Sequence, residues 1–288
     1  MIDTSIEVNG TGSPRIAYQY RDSSTGSWKY EVKYAVKNGS SWDYEVVYSY
    51  PHSYNRGQLD LVLNSTEAPH ISYANDHDDD LYVASKEGGT WTSLKVDDNS
   101  GWWDAGTYWR TQSLAVDDED GLHIAYMDKS GRHLEYSNKS PSDSSWSTPT
   151  NIHDNGNHFI GIAVSLMVDD DGALHIVYDY HNEDDLYYAQ CTGGCDSSSS
   201  WSFRELGNIR DAGRYVTAAM DHTGSIRVAY YNETGKNLMG MFIPGTITKT
   251  YEIAPVGSSH YGLGYAMDAS GIAHLSFYNG SGGSGELL

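Results

Sequence analysis

A chain of 288 residues with 24 tyrosines, 30 glycines and only 7 prolines is suited to one large all-β domain, in which many short strands are joined by tight polar turns. Its net charge of −21 repels nucleic acid and anionic lipid, and no run of basic residues offsets it. No stretch approaches the roughly 20 apolar residues that cross a bilayer, so cations, cationic partners and neutral sugars are the compatible ligands.

The opening "MIDTSIEVNG" lacks the charged and apolar regions of a secretion signal, and the expectation is a leader removed from this chain. From there one phrase recurs: Pro14–Tyr18, Pro69–Tyr73, Leu122–Tyr126, Leu174–Tyr178, Ile226–Tyr230 and Ala273–Phe277. Its second position falls at Arg15, His70, His123, His175, Arg227 and His274, in steps of 55, 53, 52, 52 and 47 residues. A period near fifty marks an array of supersecondary units.

Each unit reads as four strands. A short apolar strand such as Ser113–Val116, Ser165–Val168 or Ala218–Met220 leads into an acidic, glycine-ended turn ("DDEDG", "DDDG", "DHTG", "DASG"). The phrase is the second strand. A third follows at Val32–Ala35, Leu81–Ala84, Leu134–Ser137 and Leu186–Ala189, and a fourth opens at Trp42, Trp91, Trp146 and Trp201. Helical periodicity nowhere lasts three turns. Four antiparallel strands repeated six times predict a six-bladed β-propeller, because a four-stranded blade cannot bury both faces alone and stacking blades cover one another. The phrase recurs because both faces of an inner strand meet a neighbour.

The predicted domain is single, 1–288, with blades near 1–50, 51–104, 105–155, 156–210, 211–257 and 258–288. In the fifth, Thr246–Ile253 replaces the tryptophan strand. The last stops where Glu286-Leu287 opens a third strand, so the closing blade is expected to be incomplete or the natural protein to continue, with the N-terminal residues available for closure.

Cys191 and Cys195 in "CTGGC" fit a local disulfide across a hairpin, contributing roughly 2 kcal/mol and implying an oxidising, extracellular or cell-surface setting. Two free thiols or half of a zinc site are the alternatives. Sequons stand at Asn9, Asn38, Asn64, Asn138, Asn232 and Asn279.

On its repeat plan and on the turns "SKEGGTW" (Ser85–Trp91), "VKNGSSW" (Val36–Trp42) and "SSSSW" (Ser197–Trp201), the chain resembles the Asp-box family, the bacterial neuraminidase repeats of sialidase-like and other secreted propellers. Those turns approximate Ser-x-Asp-x-Gly-x-x-Trp without its aspartate. The "HIxY…LxYA…W" phrasing is also similar to repeats of secreted lectins and polysaccharide-acting enzymes.

In a propeller, loops leaving the fourth strands and those between second and third strands share one face around the central channel, the default binding mouth. The former carry Tyr54 and Arg56, then Tyr108, Trp109 and Arg110, then His158 and Phe159, then Arg214 and Tyr215, then Tyr261. The latter add His77, Tyr180 and His181. Aromatic faces beside Arg, His and carboxylates suit sugar rings; the competing reading is that the aromatics merely plug the channel.

A sialidase-like site would recruit Arg56, Arg110 and Arg214 for a substrate carboxylate. A polysaccharide lyase would draw its base from His77, His158, His181 or Tyr180, and an inverting glycosidase needs two carboxylates roughly 6.5–9.5 Å apart. The phrase histidines are read as hydrogen-bonding between blades rather than ligating metal, since Arg replaces them twice. No cofactor is expected; calcium is admitted by "DDEDG" and "NDHDDD", although the EF-hand spacing is absent. The resulting expectation is a monomeric binding or adhesion module for a glycan or protein. The alternatives are an enzyme on the same face and a ligand-free scaffold domain.

Overall fold

The structure, a computed structural model, describes residues 3–22, 29–51, 58–75, 78, 80–98, 111–128, 130–156, 158–206, 212–221, 223–243, 249–256, 263–268, 270–281 and 284–287. For Arg21, Pro51, 212–214 and 278–287 only the backbone is described.

Twenty-three strands and two single-turn 3-10 helices make up the described secondary structure, with no α-helix among these residues. They form consecutive antiparallel sheets. The first holds β1 (Thr4–Val8), β2 (Pro14–Asp22), β3 (Lys29–Asn38) and β4 (Ser41–Pro51). The second holds β5 (Leu59–Leu63), β6 (Pro69–Asn75), β7 (Asp80–Ser85) and β8 (Thr92–Asp97). In the third are β9 (Gln112–Val116), β10 (Leu122–Met127), β11 (Leu134–Lys139) and β12 (Thr150–His153). β13 (Ile160–Val168), β14 (Leu174–Tyr180), β15 (Asp185–Cys191) and β16 (Ser202–Glu205) are the fourth. β17 (Ala212–Met220), β18 (Ile226–Asn232), β19 (Asn237–Ile243) and β20 (Lys249–Pro255) are the fifth. The sixth has three strands: β21 (Leu263–Met267), β22 (Ala273–Ser281) and β23 (Ser284–Leu287). Every repeated phrase lies on a second strand, and Glu286 pairs with Asn279 as the start of a third.

The chain divides into two compact units. The first comprises Met1–Thr107, Gln112–Ser130 and Glu135–Pro149; the second comprises Tyr108–Thr111, Gly131–Leu134 and Thr150–Leu288. Within each, neighbouring sheets bury each other's faces. In the first unit Val32 and Tyr34 pack with Leu61, Ile71 and Tyr73, while Leu81, Val83 and Val96 pack with Leu114, Ile124 and Trp146. In the second unit Val177 and Leu186 pack with Val228, Tyr230 and Met241, and Tyr231 and Leu238 meet Leu263 and Leu275. Each fully buried side chain of this size contributes about 1.5–3 kcal/mol, which explains why both faces of a second strand are constrained.

First strands are also tied across sheets. Asp60, buried on β5, accepts from Ser5 Oγ at 2.9 Å, and from Ser113 Oγ at 3.3 Å and Leu114 N at 3.1 Å. Ser165 Oγ likewise donates to Ala218 O and accepts from Ala218 N, both at 3.1 Å.

Six turns between first and second strands share one design. Asn9, Asn64, Asp117, Asp169, Asp221 and Asp268 each use Oδ1 to accept the N–H of the residues two and four further on. This is the Asx turn, in which the short side chain mimics a backbone turn. Three residues after each Asx the chain is left-handed: Gly12, Glu67, Asp120, Gly172, Gly224 and Gly271 have φ between 62° and 80°. Where that residue is Glu67, its carboxylate binds Asn9 Nδ2 at 2.9 Å and Gly10 N at 3.2 Å on the preceding turn. Asp120 likewise binds Ser65 N and Oγ, both at 2.7 Å. The left-handed strain of a non-glycine residue is thereby offset by a bridge between sheets.

The other oxygen of the turn explains three of the four phrase histidines, while His70, which follows Asn64, has its Nδ1 2.8 Å from Ser85 Oγ in the same sheet. His123 Nε2 and His175 Nε2 each lie 2.9 Å from Oδ2 of Asp117 and Asp169, and their Nδ1 atoms lie 2.6 Å from the hydroxyls of Tyr136 and Tyr188. These bonds stay inside one sheet, which corrects the expectation that the histidines bond between sheets: the turn aspartate six residues back and the tyrosine of the next strand take both ring nitrogens. His274–Asp268 at 3.1 Å follows the rule, and Arg227 takes the same partner, Asp221, at 3.8 Å. Both oxygens of Asp117 and Asp169 are thus hydrogen-bonded within the protein. Positions 76, 77 and 79 of "NDHDDD" lie outside the described residues.

Cys191 and Cys195 form the expected disulfide in the β15–β16 connection, and Trp201 Nε1 donates to Cys195 O at 2.9 Å. Trp91 Nε1 donates to Glu45 of the first sheet at 2.9 Å, and Trp146 is buried in the core between the second and third sheets.

Candidate functional site

Of the candidates read from sequence, Tyr54, Arg56, His77, Tyr108, Trp109, Arg110 and Tyr261 lie outside the described residues, and Arg214 is described in its backbone alone. His158, Phe159, Tyr180, His181 and Tyr215 are described, all in the second unit.

The structure gathers four of these five at one end of the fourth sheet. Tyr180 closes β14 with 1% of its surface exposed, and its hydroxyl meets His158 Nδ1 at 2.5 Å and the side-chain amide of Asn155. Burial pushes its phenol above the ordinary range. Phe159 is stitched to the β14–β15 turn: its N–H donates to Asn182 Oδ1 at 2.7 Å, and its carbonyl accepts from His181 N at 3.0 Å. The partly buried Phe159 ring carries the Arg132 guanidinium 4.6 Å from its centroid and the edge of His181 at 6.4 Å.

A β-bulge supports this cluster. The register of β13 against β14 slips between Ile160 and Val164, and Gly161 stands there at φ 86° with Leu134 Cδ1 3.0 Å from where a Cβ would be. Asp179, 1% exposed, accepts the freed Ala163 N–H at 2.8 Å, and burial raises its carboxyl to about 8. Its Oδ2 lies 4.0 Å from His181 Nδ1. Tyr215 sits in the corresponding irregular stretch of β17, left-handed at φ 60° within the register shift between Arg214 and Thr217. A bulge at this end re-aims side chains, and strained residues concentrate where geometry serves a ligand.

The last tyrosine of the phrase is buried in the second strand of the second to fifth sheets, and its surroundings change from sheet to sheet. Tyr73 is sandwiched by Tyr48 at 5.2 Å and Tyr82 at 5.7 Å. Tyr178 meets His153, whose Nδ1 lies 3.0 Å from its hydroxyl, and Tyr187 at 5.9 Å; burial lowers the His153 imidazole below its ordinary value. Tyr230 packs with Leu206 and Met239. Around Tyr126 the partners are instead two carboxylates: its hydroxyl donates to Asp97 Oδ2 at 3.1 Å, with Glu135 acting on it too. Burial foremost, with Glu135 adding to it, raises the Asp97 carboxyl to about 6. Arg132, Asn155, Asp179 and Asp97 were not singled out by sequence. Nothing in the loop "DKSGRH" (Asp128–His133) distinguishes Arg132, and the others pair across residues too distant for any local pattern.

No known family profile matches the sequence, and no curated protein matches it. Solved structures do. A protein of unknown function from Dyadobacter fermentans superposes with a TM-score of 0.65 at 9% identity over 99% of this chain and 92% of that one. The GH93 α-L-arabinofuranosidase of Fusarium graminearum, in complex with arabinobiose, gives 0.60 at 13% identity over 96% and 87%. AofleA from Arthrobotrys oligospora gives 0.59 at 11% over 100% and 82%. Similarity at such identities concerns the fold: this is an all-β chain of antiparallel sheets like those of multi-blade β-propellers.

Proposed function

We propose that the six sheets are blades of a six-bladed β-propeller and that the protein is an extracellular or cell-surface glycan-binding module, with its site where Phe159, Arg132, His158 and His181 converge. The observation that carries this is the partly buried Phe159 ring with a guanidinium over it and an imidazole edge-on beside it. A sugar stacks its C–H face on such a ring, while the flanking nitrogens supply donors to its hydroxyls. The net charge of −21 disfavours nucleic acid and anionic membranes, the disulfide suits an oxidising compartment, and the fold neighbours include proteins solved with arabinobiose bound.

A second reading, a polysaccharide lyase, takes the His158–Tyr180 pair as acid and base beside Arg132. Against it, the Tyr180 hydroxyl is buried, already engaged by two partners, and raised rather than lowered in pKa. Binding is therefore preferred over catalysis.

A glycan array probed with the wild type and with Phe159→Ala and Arg132→Ala tests the reading. Signal from the wild type and at least a tenfold loss in each variant is expected, a tenfold change being about 1.4 kcal/mol. An array that stays blank at high protein concentration refutes it. Appearance of unsaturated-uronate absorbance on polyuronates, lost in His158→Ala, would establish the lyase instead.

A further inference from the structure

At the opposite end of β14, roughly 17 Å from Tyr180 by strand rise, a groove of about 890 Å3 opens between the fourth and fifth sheets. Its origin lies in the repeated turn. In the first unit the left-handed residue of each following turn, Glu67 or Asp120, sends a carboxylate onto the preceding turn and fills this place. In the fifth sheet that residue is Gly224, at φ 76°, with no atom within 4 Å of where its Cβ would stand. On the facing turn Asp170 occupies the position of Ser65, so the hydroxyl donor is replaced by an acceptor. Both halves of the bridge are gone, and the space between is lined rather than collapsed.

The lining suits one class of ligand. Met220, Ile226 and Ile243 form an apolar wall. Opposite stand Tyr188, with the Arg204 guanidinium 5.3 Å over its ring, and the amide of Gln190. Asp170 and Asp171 bring acceptors to the rim. Pockets of 300–1,000 Å3 with apolar walls and a few convergent polar groups are the usual shape of small-molecule sites. Hydroxyl groups are both donors and acceptors, so they match the donors of Arg204 and Gln190 on one side and the aspartate acceptors on the other. An anionic ligand would face the rim aspartates on a strongly acidic protein.

We propose that the groove between the fourth and fifth sheets is a binding site for a neutral saccharide, separate from the Phe159 cluster and independent of it. Saturation-transfer NMR with arabinobiose, cellobiose, mannobiose and lactose at millimolar concentration tests this on the full chain. Gly224→Gln is the principal variant: Glu67 adopts the same backbone conformation with a side chain of that length, and the amide reaches toward Asp170 without adding charge. Gln190→Ala is the second, kept in case Gly224→Gln fails to fold by circular dichroism. The expected result is that at least one disaccharide binds, that each variant weakens it tenfold or more, and that Phe159→Ala leaves it unchanged. If none of the four binds, or if Phe159→Ala abolishes binding that the groove variants retain, the proposal is overturned. The second outcome would leave the Phe159 reading standing.

Discussion

Asp97 shows how a single residue alters a repeated slot. Around equivalent tyrosines the neighbours are aromatic, imidazole or aliphatic; at Tyr126 they are two carboxylates sharing one hydroxyl proton. Burial and Glu135 hold the Asp97 carboxyl at about 6, above its unfolded value, so the folded state retains a proton that the unfolded chain has released. The penalty is absent below about pH 4, accumulates between pH 4 and pH 6, and is full above pH 6. Asp97→Asn is therefore expected to be more stable than wild type at pH 7.5 by about 1 kcal/mol, after discounting for the partial exposure of the group, with the gain vanishing near pH 4. Urea denaturation at the two pH values measures it, and an equal or opposite difference at pH 7.5 would contradict the assignment.

Among elements, the Asx-headed turn is the unit from which the repeat is built. Its Oδ1 closes two backbone bonds, and in the third and fourth sheets Oδ2 fixes the histidine that in turn meets a tyrosine of the next strand. Asp117→Ala removes three acceptor contacts at once and is expected to cost about 2 kcal/mol, whereas the exposed neighbour Asp118→Ala should stay within about 0.5 kcal/mol of wild type. Chemical denaturation of the pair decides, and similar values for both would show that the turn is held by something else. Part of this turn was legible as an acidic, glycine-ended stretch. What hid the rest was that Asn9 and Asn64 perform the aspartate's task in the first two repeats, and that Glu67 and Asp120 occupy glycine's conformation because their carboxylates reach another sheet.

The whole molecule is set by charge and by repetition. With a net charge of −21, self-repulsion opposes the compact state. Raising sodium chloride from about 50 mM to about 500 mM shortens the screening length severalfold and is expected to raise Tm by a few degrees; a fall in Tm would mean that the exposed ion pairs outweigh the repulsion. The sequence alone determined the repeat of antiparallel strands, although the fourth strand expected to open at Trp146 begins at Thr150, and it offered the disulfide as one of three readings of the cysteines. The reason is that a second strand packed on a neighbouring sheet must keep its apolar residues, and that two cysteines four apart stand within reach of a local bridge. Tertiary structure alone decided which partner His123 and His175 take, why Arg132 lies on Phe159, how Tyr180 comes to be sealed between Asn155 and His158, and where the Gly224 groove opens. The histidine bonds span 6 and 13 positions within one sheet, and the others depend on loops and sheet-to-sheet contacts between residues more than 20 positions apart; at none of these separations does the two-residue period of a strand or the fifty-residue period of the repeat carry information.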